Sequence, residues 1–259
     1  MNAPVDDLEA SRAPLLDHLI ELRRRLFYCL ATVFVAVIVT YIFSRDIFTI
    51  LVQPLLKAGQ TKIVTIGVFD GFFVQIKIAL FAALMISFPV IANQLWGFVA
   101  PGLYRQEKRA LLPFLIATPV LFGMGASMAY FLAVPAALHF LLSFQGNLGG
   151  VEQQALTSVA SYLDFIMQFL FGFGIAFLMP VVLMIVERAG LVTRKQLVGA
   201  RRYAIVGCFA LALVLAPPDA GSMIMLAVPL VLLYELALIA IWFSERGRAK
   251  TAGTDLVES

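Results

Sequence analysis

Glu21, Glu107 and Glu235 are the residues of this 259-residue sequence whose settings most need a chemical explanation. Glu21 stands in His18-Leu19-Ile20-Glu21-Leu22-Arg23, just before an apolar run. Glu107 closes Phe98-Val99-Ala100-Pro101-Gly102-Leu103-Tyr104-Arg105-Gln106-Glu107, just after another. Each has an arginine or lysine beside it, so one reading is a solvated ion pair, which contributes little. The other reading is a pair of carboxylates at one surface that receives a cationic partner. A guanidinium suits that role through paired hydrogen bonds. Glu235 instead lies inside an apolar run, about eight residues or ~12 Å from its end. An ionisable group at such a depth marks a functional site unless it is neutral and hydrogen-bonded.

Catalysis is poorly served by this inventory. The two histidines, His18 and His139, both fall outside the apolar runs, so a serine nucleophile within a span has no base. There is no acid pair, Gly-rich phosphate loop or metal-ligand cluster. Cys29 and Cys208 sit within apolar runs and read as small core residues, with no disulfide expected. The expectation is a protein that is not an enzyme, with no metal and no cofactor.

The elements that must position these groups are membrane spans. The chain is 61% hydrophobic and 14% charged, with a mean hydropathy of +0.94, whereas a soluble domain is nearer half apolar and about 25% charged. A net charge of +3 is too small to suggest a nucleic-acid partner. Apolar runs at 27–43, 73–95, 111–133, 162–186, 203–216 and 223–243 predict six transmembrane helices in one polytopic, all-α membrane domain spanning 1–259. The first run follows Arg23-Arg24-Arg25 like a signal peptide, but its length and the absence of a small-residue cleavage site make it an anchor. Fifteen of the nineteen lysines and arginines fall in alternate connections and the two terminal segments, and three fall on the opposite side. The positive-inside rule then puts both termini, including the segment 1–26 and a mobile tail 244–259, in the cytoplasm. Glu21 and Glu107 share that face.

Composition also predicts shape. Pro89, Pro113, Pro119, Pro180 and Pro229 interrupt four of the spans, which predicts kinked helices and a concave wall. The fifth run has 14 residues before Pro217-Pro218-Asp219. At ~1.5 Å per residue it is too short for an ordinary bilayer, so Asp219 is expected in a recessed outer turn, with the fifth and sixth helices short. Residues 46–57 are amphipathic and, with Pro54, are expected to lie along the outer surface. A flexible loop is expected over 135–161, around Gly146-Asn147-Leu148-Gly149-Gly150. Lys77 and Asp164 are placed near outer helix ends, where snorkelling suffices. Gln94 and Gln168 are available for hydrogen bonds to other helices, and Gly123 and Ser127 have the spacing of a close helix contact.

The motif around His18 to Leu26, the motif from Phe98 to Arg109, and Pro217-Pro218-Asp219, in that order around six spans, resemble the TatC family, the receptor subunit of the twin-arginine protein translocase. The resemblance covers nearly the whole chain. It implies a receptor in the cytoplasmic (inner) membrane that binds twin-arginine signal peptides of folded proteins and recruits single-span partner subunits of the TatA and TatB type in an oligomeric complex. By that resemblance Glu21 and Glu107 form the signal-peptide site, shaped by Arg23, Phe98, Pro101, Leu103 and Tyr104. Pro54 belongs to a characteristic outer segment, Asp219 to the outer turn, and Gln94 to a partner-packing surface. Leu178, Ala216 and Met223 depart from the family pattern, where polar side chains are common. The implied mechanism has the paired arginines binding Glu21 and Glu107 while the apolar part of the peptide slides along the concave wall, driven by the proton-motive force.

The rival expectation is a permease or ion-coupled transporter subunit in which Glu235, Asp219 and Lys77 line a path and the basic fourth connection docks an ATPase.

Overall fold

In the computed structural model the first helix does not begin at the apolar run. Helix α1 extends from Val5 to Ile42, 38 residues without a break, so Glu21 and the three arginines ride on the same rod as the membrane span. The structure describes residues 5–60, 62–65, 67–103, 112–143, 146–148, 151–153, 157–215 and 220–255, and among these the side chains of 18–98, 114–143, 157–214, 220–221 and 223–246.

Helix α2, Ser44–Lys57, forms over the segment expected to be amphipathic, and it buries Ser44, Leu51, Val52, Pro54 and Leu55 as one stripe. Pro54 explains how it is fastened. Lacking an N–H, it leaves the Ile50 carbonyl without its helical donor. The Tyr130 hydroxyl donates to that carbonyl at 2.7 Å, and the Tyr162 hydroxyl donates to the next one, Leu51, also at 2.7 Å.

Helix α3 runs from Asp70 to Leu103. Helix α4, Leu112–Met128, passes through a π-helical turn, Ala129–Ala133, into α5, Val134–Leu142. Pro135 is the physical reason for the π turn: it cannot donate to Phe131, and the ladder widens so that the Val134 N–H reaches the Ala129 carbonyl five residues back. The third span therefore continues well past Ala133. The connection expected to be a flexible loop is correspondingly shorter and contains a two-stranded antiparallel ribbon, β1 Gly146–Leu148 and β2 Val151–Gln153.

The fourth span is two helices rather than one. Helix α6, Val159–Ala176, ends at Phe177, and α7, Met179–Arg188, starts with Pro180 in its first turn. At Pro89, Pro119 and Pro229, by contrast, the helix assignment is continuous. Helix α8, Arg194–Gly199, opens with a capping box between Thr193 and Gln196. Helix α9, Arg201–Leu215, is as short as expected: 15 residues reach ~22 Å. Helix α10 corrects the expectation of a short sixth helix and a mobile tail after Ser244. It runs from Ala220 to Asp255, and its apolar part alone, Met223–Arg246, has 24 residues. Hydropathy marks only the apolar part of a helix, whereas its polar continuation is built from good helix formers such as Glu245, Arg246 and Lys250.

Five helical stretches are long and apolar enough to cross a membrane: His18–Ile42, Asp70–Phe98, Phe114–Leu142, Val159–Arg188 and Met223–Arg246. Helix α1 packs along α3, α4 against α6, and α10 against α7 and α9. The close α4–α6 approach comes from Gly125, whose Cβ would strike the Phe173 carbonyl and the Phe177 ring, and from Gly174, which faces Phe122. Gly123, the expected contact glycine, faces open space. The main core gathers at the α2 end, around Leu55, Ile78, Phe169, Phe173 and Leu226. The opposite end holds two small clusters, one around Tyr234 and Leu197, the other around Phe114 and Val181.

Candidate functional site

Glu21 lies at that thinly packed end and is already engaged. Arg25, one turn later on α1, donates to Glu21 Oε1 from Nε at 2.9 Å and from Nη2 at 2.6 Å, the i,i+4 spacing that brings helical side chains together. Both bonds fall on one oxygen, and Oε2 carries no hydrogen bond from a described residue. The third guanidinium nitrogen of Arg25, Nη1, reaches across to α3 and meets the backbone oxygen and the side-chain Oε1 of Gln94, each at 3.4 Å. Gly97 makes room for this: a Cβ there would collide with Arg25 Nη1.

One turn before Glu21, the His18 ring stacks on Phe98, with centroids 4.2 Å apart and planes 14° from parallel. The site is therefore a ladder between two helices, with His18, Glu21 and Arg25 on α1 facing Phe98, Gly97 and Gln94 on α3. Trp96 anchors the same end of α3 by donating from Nε1 to Thr118 Oγ1 on α4 at 2.8 Å. Thr118 passes the chain on to the Phe114 carbonyl at 2.7 Å.

Arg23 does not join this ladder. Two residues beyond Glu21 is about 200° around a helix, so it projects from the opposite face, exposed. Gln94, expected at a partner surface, is held by Arg25 instead. Pro101 and Leu103 belong to the last turn of α3, while Tyr104, Glu107 and Asp219 lie outside the described residues. Arg25, His18 and Gly97 were missed as site residues. The available signal is the i,i+4 spacing of Glu21 and Arg25, which the hydropathy boundary near residue 26 obscures although α1 continues through it.

Several other ionisable groups are paired. Lys77 Nζ sits 2.8 and 3.0 Å from the Asp164 oxygens, joining α3 to α6, so the two form an ion pair rather than snorkelling separately. Glu235 Oε2 accepts from Arg201 Nη2 at 2.9 Å, joining α10 to the start of α9. The Tyr234 hydroxyl donates to the Leu197 carbonyl at 2.7 Å, drawing α8 onto α10. Gln168 donates to the Val214 carbonyl at 3.2 Å, satisfying one of the last acceptors of α9. The basic fourth connection is likewise folded inward: Arg194 lies 3.9 Å from Glu245, and Arg188 reaches Ser244 at 3.4 Å. Among the described residues no cluster of His, Cys, Asp or Glu has the makings of a metal site.

These features define a multi-pass helical membrane protein in which ion pairs tie helices together and one polar ladder lies at the α1–α3 end. The model for the Sec-independent protein translocase protein TatC matches residues 17–229, and the chain belongs to the TatC family. It is similar to the TatC protein of Magnetococcus marinus, 42% identical over 92% of this chain and 88% of that one. It is also similar to the TatC protein of Aquifex aeolicus, 38% identical over 87% and 93%, and to that of Escherichia coli K12, 38% identical over 89% and 88%. A crystal structure of the twin-arginine translocase receptor TatC superposes with a TM-score of 0.77 at 36% identity, covering 88% of this chain and 99% of that one.

Proposed function

We propose that this chain is the signal-peptide receptor and core subunit of a twin-arginine translocase that carries folded proteins across the cytoplasmic membrane. The observation that carries the reading is the Glu21 carboxylate, bonded through one oxygen to Arg25 and set beside the His18–Phe98 stack. An incoming guanidinium finds its counter-charge at the second oxygen and an aromatic surface for the apolar residues that follow the arginines. Glu107, on the connection after α3, supplies the second carboxylate for the second arginine. The role is one of binding and conduction, not catalysis.

In this reading both termini are cytoplasmic, α9 is the short fifth crossing that brings the total to six, and the membrane is the inner one. The charge distribution supports it, with fifteen of nineteen basic residues on one side. Single-span partners of the TatA and TatB type complete an oligomeric translocase. The permease alternative is disfavoured because Lys77 and Glu235, two of the residues it would use, are neutralised by Asp164 and Arg201.

A photo-crosslinker at Phe98 tests the assignment. It is expected to capture a twin-arginine signal peptide in inverted membranes, and Glu21→Lys is expected to abolish the capture. Unchanged crosslinking in both Glu21→Lys and Glu107→Lys would remove the carboxylates from the receptor site.

A further inference from the structure

A groove of ≈ 500 Å³ runs between α4, α7 and α10, away from the α1–α3 ladder. Its walls are Phe114 and Leu121 from α4, Val181 and Met184 from α7, and Leu236 and Ala240 from α10. The one charged residue lining it is Arg188, at the last turn of α7. Its guanidinium carbon lies 5.0 Å from the centroid of the Phe114 ring, at the same end of the bundle as Trp96 and Arg25.

Arg188 is underused where it stands. Nη2 has a single long bond to Ser244, and Nε is buried with no hydrogen-bond partner among the described residues. The neighbouring carboxylate on α10, Glu245, is occupied by Arg194. A buried guanidinium N–H without an acceptor is costly, and a phosphate, with several oxygens, is the group that best fills the fork.

We propose that this groove binds an anionic phospholipid, with an acyl chain against the apolar walls and the phosphate on Arg188. Charge and chemistry decide between occupants. The signal peptide carries arginines at its charged end, which Arg188 repels. A phospholipid is present at all times in the surrounding bilayer, and basic pockets between spans are the sites at which anionic headgroups are retained.

Native mass spectrometry of the purified, delipidated chain tests the proposal, with phosphatidylglycerol or phosphatidylcholine of identical acyl chains added in turn. Wild type is expected to retain phosphatidylglycerol with about a fivefold preference, the scale of one arginine acting on an anionic lipid. Arg188→Gln is expected to bring the two lipids to parity, Arg188→Lys to keep most of the preference, and Ala117→Trp, which fills the groove, to weaken both. Equal retention by wild type, a preference that survives Arg188→Gln, or unchanged retention in Ala117→Trp would overturn it. So would a photo-crosslinker at Leu236 that captures a polypeptide rather than lipid in native membranes.

Discussion

Two acid–base pairs in this molecule look alike on paper and differ in what they hold. Glu21 and Arg25 belong to one helix, and their contact survives any movement of α1 as a rigid rod. Glu235 and Arg201 belong to two helices, and their contact is part of what keeps α9 on α10, together with Tyr234 on Leu197. The helices that carry them differ as well: the apolar stretch of α1 has 6% of its residues buried, against 44% for that of α10, although the side chains of the Glu21–Arg25 pair are themselves the less exposed. Exchanging partners in the pair within α1 disturbs at most the two 3.4 Å bonds from Arg25 to Gln94 on α3, whereas breaking the other pair removes a direct ion pair between helices. The lesson is that a carboxylate's position relative to helix boundaries says more about its role than its depth does. Glu235, the one inside an apolar stretch, joins two helices.

The comparison is broken most severely by charge reversal at the α1–α3 end. Glu21→Lys places two like charges one turn apart and is expected to abolish export of a twin-arginine reporter while the protein still accumulates in the membrane. Loss of the protein itself would show that the pair is structural after all.

The inter-helix pair should respond in the opposite way. Glu235→Leu leaves Arg201 without a counter-charge and, because both side chains are partly exposed, is expected to cost about 1 kcal/mol of stability, read by unfolding in mixed micelles. The double variant Glu235→Leu with Arg201→Leu is expected to recover most of that loss. A double variant no better than the single one would contradict the staple role.

The fastening of α2 sharpens the contrast. Tyr162→Phe removes the donor to the Leu51 carbonyl and is expected to lower stability by about 1 kcal/mol. Tyr130→Phe should cost at least as much, because Pro54 leaves the Ile50 carbonyl no alternative donor. The smallest effect belongs to the pair within α1: Glu21→Gln is expected to change stability by no more than ~0.5 kcal/mol.

Much of this organisation was legible in the sequence, and the parts that were not share a cause. The apolar runs located the spans, the amphipathic pattern with Pro54 located α2, and the spacing before Pro217 foretold a short α9. The motifs around Glu21 and Glu107 carried the family. Hydropathy, however, reads only the apolar part of a helix, so the polar ends of α1 and α10 passed for tails. Proline was an ambiguous signal for a related reason. Pro180 splits a span and Pro135 widens one into a π turn, while Pro119 and Pro229 are absorbed, and the outcome depends on which neighbours supply the missing hydrogen bonds. Pairings between distant segments, such as Lys77 with Asp164 and Arg201 with Glu235, are set by tertiary packing, which a linear pattern does not encode. The Glu21–Arg25 pair was readable from spacing once the helix was known to continue through it.

The central claim is that Glu21 receives an arginine of the signal peptide and that Glu235 does not. The direct measurement is the affinity of the purified chain for a twin-arginine signal peptide and for its twin-lysine counterpart, taken alongside thermal stability. Glu21→Gln is expected to bind the arginine peptide at least tenfold more weakly, on the scale of about 1.5 kcal/mol or more for a hydrogen bond to a charged group, with an unchanged melting temperature. The Glu235→Leu, Arg201→Leu double variant is expected to bind as wild type does. Wild-type affinity in Glu21→Gln, or a loss of affinity in the double variant at unchanged stability, would contradict the account.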